Sequence, residues 1–195
     1  MTESQEERQL LRELSDIGLA VDSVYDLFGQ KLNYKDAIPL LIAWLPKAAE
    51  PRTKEGIARA LSVKWAKPDA GAALVREFET ISDPGGMVRW AIANALSIVA
   101  DDALFDDMRR LVTDKQFGKA REMLAVALGN MRKTPAAEDV LIQLLEDEQL
   151  VGHALIGLRK LRAGAAARPR IEALAEHPKT WVRAEAKKLL KKLDA

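Results

Sequence analysis

Apolar residues recur along most of the chain at the spacing of one helix face, and this local pattern itself recurs. Five segments carry a related helical phrase: Lys54–Leu61, Arg89–Leu96, Arg121–Leu128, Val151–Leu158 and Arg183–Leu190. Measured between their final leucines, the intervals are 35, 32, 30 and 32 residues. A small residue precedes that leucine in four of the five (Ala60, Ala95, Ala127, Gly157), and a base stands seven residues before it in four (Lys54, Arg89, Arg121, Arg183). Each phrase follows a second amphipathic stretch: Ile38–Leu45, Leu74–Ile81, Leu104–Val112, Val140–Leu145 and Ile171–Ala175. Two helices in every ~30–35 residues, five times over, predict an array of helical hairpins.

The turn-forming residues fall where such an array needs them. Pro51, Asp83-Pro84-Gly85-Gly86, Asp114, Asp147 and His177-Pro178 separate the two helices of each copy, while Gly71 and Gly164 are expected between copies. Residues 3–18 and 20–31 are expected to form an extra hairpin that caps the first copy, because an open end would expose apolar surface.

Composition sharpens this reading. Hydrophobic residues make up 48% of the 195 and charged ones 30%, the balance of a globular chain, and only 5% are aromatic. The absence of cysteine excludes a disulfide framework, thiol catalysis and thiolate metal sites. The polar, acidic start (Met1-Thr2-Glu3-Ser4-Gln5-Glu6-Glu7) is unlike a signal peptide, and no apolar run approaches the ~18 residues of a membrane span, so a cytoplasmic location is expected. The net charge of +1 argues against a generic nucleic-acid binder. Its distribution is uneven: seven acids against three bases in residues 1–34, and eleven bases against four acids in 159–195. Two polar end caps account for that asymmetry; a basic docking patch at the C-terminal end is the other reading.

The phrase V-R-x-x-A-x-x-A-L, clearest at Val88-Arg89-Trp90-Ala91-Ile92-Ala93-Asn94-Ala95-Leu96, resembles the HEAT repeat, in particular its short bacterial form, also seen in phycobilisome-lyase-like proteins. The resemblance covers residues 36–193; copy four departs from it, with Val151 for the base and His153 at an interior-leaning position. It implies an all-α, right-handed α-α superhelix: a single solenoid domain over 1–195, with a cap at 1–34 and about five HEAT-like hairpins at 35–195. An acid-to-arginine ladder resembling that of HEAT proteins would then tie the copies together, and Glu50, Asp83 and Asp114 are the upstream acids expected to meet Lys54, Arg89 and Arg121.

The same resemblance places the second helices on the concave side. Positions opposite the anchor leucine at about 100° per residue include Glu55, Arg59 and Val63, then Met87, Trp90, Asn94 and Ile98, then Lys119, Glu122, Val126 and Asn130. Gly152, Ile156 and Lys160 follow, then Trp181, Ala184, Lys188 and Lys192. Neighbouring copies could bury the apolar members of this set. Exposed, they would form a stripe (Met87, Trp90, Ile98, Val126, Ile156) rimmed by Arg59, Lys160 and Lys188, suited to an amphipathic helix or an extended peptide with acidic flanks. Trp90 is the expected anchor, because aromatic residues dominate interfaces.

No enzyme signature stands beside this surface. His153 and His177 lie in separate copies, with no metal-ligand spacing, and nucleophile-elbow, phosphate-loop and dinucleotide motifs are missing. Asp101-Asp102 reads as a helix start, and Asp106-Asp107 and Glu146-Asp147-Glu148 as solvated faces. No cofactor, metal or membrane is expected. The expected function is therefore non-catalytic recognition of a protein or peptide. The alternative is a DNA-alkylation-repair glycosylase of HEAT-like build, in which Trp90 and Trp181 would stack and Arg59 and Lys188 would meet phosphate; against it, no Asp falls on the concave positions.

Overall fold

The computed structural model describes residues 4–30 and 32–195; Glu3 and Lys31 of the expected cap lie outside the described residues. Among the described residues the protein is helical throughout and has no strand. Its helices are α1 (Gln5–Asp16), α2 (Asp26–Gly29), α3 (Ile38–Trp44), α4 (Pro51–Ala60), α5 (Ala70–Thr80), α6 (Met87–Val99), α7 (Phe105–Thr113), α8 (Arg121–Leu128), α9 (Ala136–Gln143), α10 (Val151–Leu161), α11 (Arg168–Leu174) and α12 (Thr180–Leu193). The chain divides into two compact units, Met1–Val99 and Ala100–Ala195.

In the first unit α3 pairs with α4 and α5 with α6, and α4 packs against α6. Leu41, Leu45, Ile57, Leu61, Leu74, Phe78, Ile92 and Leu96 are fully inaccessible, so the recurrent anchor leucines are core residues. Each stabilises the unit by roughly 1.5–3 kcal/mol through burial. Helix α1 is fastened by its acids. Glu6 Oε2 accepts the backbone N–H of both Ala49 and Glu50 at 3.0 Å, and Trp44 Nε1 donates to Glu13 at 2.8 Å.

Two expectations fail here. The second arm of the cap hairpin, expected over residues 20–31, holds only the four-residue α2 among its described residues. Side chains take over its backbone donors: Asp26 Oδ2 accepts the N–H of Asp22 and Ser23, and buried Glu7 accepts from Ser23 Oγ and Val24 N. Such local side-chain bonds offer the backbone an alternative to helix. Gly71 does not separate copies either; it is buried in the first turn of α5, and the break falls just before it, at the turn formers Pro68 and Asp69.

In the second unit α7 pairs with α8 and α11 with α12, α9 precedes α10, and α8 packs on α10, which packs on α12. Leu124, Leu128, Leu155 and Leu158 are inaccessible; in copy five the expected anchor Leu190 is only half-buried, and Leu189 beside it faces the core instead. The small residue before the anchor has a direct use in copy four: a Cβ on Gly157 would lie 2.7 Å from the carbonyl oxygen of Ala125, so only glycine lets α10 approach α8 this closely. Gly164 takes the left-handed conformation (φ 111°) expected of a break between copies.

The repeated base is structural, but its partners differ from those expected. Lys54 is paired with Glu77 of the following copy, and both are buried. Arg89 turns its guanidinium onto the carbonyls of Phe78 and Ile81 at the end of α5, while Asp83 accepts the Arg89 backbone N–H at 2.8 Å. Arg121 donates to the Val112 carbonyl at 3.2 Å and to Asp147 of the next copy at 3.0 Å. Arg183 donates to the carbonyls of His177 and Pro178. The upstream acids Glu50, Asp83 and Asp114 instead accept backbone N–H groups at or near helix starts, where a side-chain oxygen satisfies an orphan amide. Arg89 and Arg121 thus cap the carbonyl end of the preceding helix, where a cation also opposes the negative dipole end, whereas Arg183 holds the turn beyond α11.

Candidate functional site

The surface offered by the second helices is built from residues opposite those anchor leucines. In the first unit, Arg59 on α4 and Trp90, Asn94 and Ile98 on α6 are all half-buried, and Met87 at the start of α6 is 63% exposed. The polar members are occupied within the unit: Arg59 pairs with Glu55 at 2.7 Å, and Asn94 donates to Ser62 Oγ at 3.3 Å. Beside them, a cleft of about 790 Å³ opens between the turn before α4 and the loop before α6. Its wall includes the Lys54–Glu77 pair, Asp83 and Met87. Glu50, also in the wall, caps α4; burial pushes its carboxyl up, but hydrogen bonds from Thr53 and Arg52 outweigh this and hold it below the usual carboxylate range.

In the second unit Val126 is buried, Ile156 and Lys160 are half-buried, and Trp181 and Lys188 are exposed. Lys188 pairs with Glu185 at 2.6 Å, which also takes Arg159 at 3.1 Å. Burial raises the Glu185 carboxyl, and these two bases more than reverse that, leaving it depressed.

Trp181 has the most specific setting. It lies in the first turn of α12, is 44% exposed, and places its benzo ring over Gly152 of α10, where any Cβ would collide with the ring. His153, next along α10, meets the same indole edge-on with ring centroids 5.2 Å apart. The Nε2 of His153 lies 3.9 Å from a carboxylate oxygen of Glu122 in the first turn of α8, and its buried Nδ1 has no hydrogen-bond partner. Burial depresses the His153 pKa; Glu122 pulls the other way without restoring it, so the imidazole is neutral at pH 7. Copy four's departure from the repeat phrase is thereby explained. Val151 is buried where the base would stand, Gly152 seats Trp181, and His153 faces Glu122.

The pattern of positions placed Gly152, Trp181 and Glu122 on the second-helix faces, but it left His153 out of the set. The signal that could have found it was the break in copy four, where glycine and histidine replace the usual residues. The paired acids are largely solvated, as expected: the side chains of Asp106, Glu146 and Glu148 are 87%, 68% and 81% exposed. Only Asp147 is drawn in, by Arg121, while Asp102 accepts from Lys133 N and Thr134 Oγ1 at a helix start. Among the described residues no group of three or more His, Asp or Glu is placed to hold a metal ion, and no helix is long and apolar enough to cross a membrane. No family model, curated protein or solved structure matches this chain.

Proposed function

We propose that this protein is a non-catalytic recognition module whose second helices bind a segment of a partner protein, with Trp181 as the principal anchor. The observation that carries the reading is the seat of Trp181: a large aromatic held 44% exposed on a glycine that admits no side chain beneath it. The glycine fixes the ring in one orientation, so its exposed part is presented already ordered. Fixed, amphipathic aromatics of this kind supply much of the energy of protein interfaces. Towards the far ends of α10 and α12 the face turns basic, with Lys160, Lys188 and Lys192, which suits acidic residues in the bound segment.

The hairpins would belong to a right-handed HEAT-type solenoid, with the second helices on its inner side. Supporting this are the succession of hairpins in chain order and the packing of second helix on second helix within each unit. A cytoplasmic setting fits the cysteine-free sequence.

The test is affinity capture from lysate, before and after nuclease, with wild type, Trp181→Ala, Trp90→Ala and Trp65→Ala. Trp65 is also exposed, at 42%, but lies outside the second helices, and serves as the control. The expected outcome is a defined protein, resistant to nuclease, lost with Trp181→Ala and kept with Trp65→Ala, a weakening of at least ~1–2 kcal/mol. Loss with Trp90→Ala as well would extend the footprint to the first unit. Identical capture by all four proteins overturns the reading, and so does release of nucleic acid alone by moderate salt.

A further inference from the structure

Two groups beside Trp181, and Trp181 itself, are left incomplete by the fold. The Glu122 side chain is 22% exposed and receives no hydrogen bond among the described residues; its one ionic neighbour there is His153, at 3.9 Å. That distance is too long for a hydrogen bond. The second group is the buried Nδ1 of His153, which has no partner. The third is the exposed indole of Trp181. A partly buried carboxylate without a counter-charge is costly, and an unsatisfied buried polar atom in a native fold calls for a reason.

Of the bases nearest in sequence, exposed Lys119 forms no ion pair with Glu122, and the others are committed elsewhere. Arg121 holds Val112 and Asp147, Lys179 holds Glu148, and Arg183 holds the carbonyls of His177 and Pro178. Glu122 lacks a counter-charge, and His153 Nδ1 lacks a hydrogen-bond partner. Glu122 and Trp181 flank His153, the carboxylate 3.9 Å from Nε2 and the indole 5.2 Å away between ring centroids. A carboxylate and an aromatic ring so placed can receive an ammonium or guanidinium group, by charge on one side and by the ring's quadrupole on the other.

We infer that Glu122, His153 and Trp181 form a receptor for one cationic side chain, a lysine or arginine, of the bound segment. The inference rests on the recognition reading above and adds the chemistry of the partner. Its segment carries a base that reaches the first turn of α10, where Glu122 and Trp181 flank His153, and acidic residues that run toward Lys192. A small-residue seat at Gly152 keeps the indole in place for the incoming cation.

His153 makes the receptor sensitive to pH. From α8 Glu122 faces it, from α12 the uncharged Trp181 faces it, and among the described residues no other charged group contributes to its electrostatics. Neutral, it leaves the Glu122 charge for the partner. When acid protonates it, the imidazolium supplies the missing cation internally and repels the one that would bind. Binding therefore weakens as pH falls below the ordinary histidine range, near 6.5.

The probe is N-acetyl-arginine amide, titrated into the full chain at pH 7.5, with the neutral N-acetyl-glutamine amide and the anionic N-acetyl-glutamate amide as controls. The readout is the set of indole N–H resonances of the four tryptophans, assigned by single Trp→Phe variants. The expected result is a saturable shift of the Trp181 signal alone, with arginine amide alone. Affinity should fall at least about threefold in Glu122→Gln, and in wild type it should weaken as pH is lowered below the ordinary histidine range. In His153→Gln the dependence of binding on pH should vanish. Equal shifts with the neutral amide, or an unchanged affinity in Glu122→Gln, overturn the inference. A response to the glutamate amide also overturns it, yet leaves Trp181 a recognition residue. Partner capture that needs Trp181 but not Glu122 likewise overturns the receptor and spares Trp181, whereas capture indifferent to Trp181 removes the recognition reading itself.

Discussion

Lys54 in the first unit and Arg121 in the second occupy the same place in the repeat and solve the same problem in different ways. Lys54 is a point charge buried against a single carboxylate, Glu77, which is itself 7% exposed. Arg121 is equally buried, but its planar head divides between the Val112 carbonyl, Asp147 and Gln149. The Asp147 side chain keeps 23% exposure. The contrast teaches that a conservative-looking exchange of lysine for arginine changes what a repeat depends on. A lysine ties two copies through one buried bond, whereas an arginine ties a helix end and the next copy together and leaves its acid partner wet.

The largest expected effect follows from that difference. Lys54→Ala strands the Glu77 carboxylate in the core and should destabilise the protein by about 3–5 kcal/mol, the range for breaking a buried pair. Replacing both partners, Lys54→Met with Glu77→Leu, should return stability to within about 1 kcal/mol of wild type or above it, because two desolvated charges are removed together. Chemical denaturation of the single and double variants measures both. A double variant as unstable as the single one would show that the pair holds geometry that apolar packing cannot replace.

Arg121→Ala should cost less, about 2–3 kcal/mol, since Asp147 can recover water and the main loss is the cap on the Val112 carbonyl. Arg121→Lys should recover only part of this, because an ammonium cannot serve the helix end and the acid at once. Equal stability of the lysine variant and wild type, in the same denaturation experiment, would erase the distinction between the two units.

The repeats themselves were legible in the pattern because anchor leucines such as Leu61, Leu96 and Leu128 are wholly buried, and burial is what periodicity records. The second helices accordingly begin and end within a few residues of the phrases that predicted them. The partners of the repeated base were not legible. Asp114 is nearer to Arg121 in sequence than Asp147, yet Asp114 is taken by the backbone N–H of Gln116, and the chain's own turn decides which acid is left for the arginine. Residues 20–31 mislead for the same reason: Glu7 and Asp26 satisfy that backbone through their side chains. The candidate site was half legible. Trp181 and Glu122 fall on the periodic face, but the contact of Gly152 with Trp181 joins two helices through a packing distance, and no spacing along a single sequence encodes that.

The smallest effect, and the one that separates the units most finely, is their response to acid. In the second unit burial raises Asp147, but the Gln149 amide and the Arg121 guanidinium overcome it, so its carboxyl is depressed, as is that of Glu185. A carboxylate depressed in the folded state stabilises the fold at any pH above its unfolded pKa, about 4, and that contribution is lost as pH falls through the folded value. Glu50 behaves in the same way in the first unit. His153 adds a window that belongs to the second unit. Its depressed pKa means that the unfolded chain takes up a proton first, so stability begins to decline once pH drops below about 6.5. Residue-resolved hydrogen exchange at pH 7.5 and 5.5 should therefore show α8, α10 and α12 losing protection while α4 and α6 keep theirs. His153→Gln should abolish the difference between the two pH values. Asp147→Asn should leave that window intact and flatten the decline below about pH 4, because it removes one of the protons that the unfolded state gains there. If α4 and α6 lose protection at pH 5.5 as readily as α10, the acid response is shared, and the histidine does not set the second unit apart.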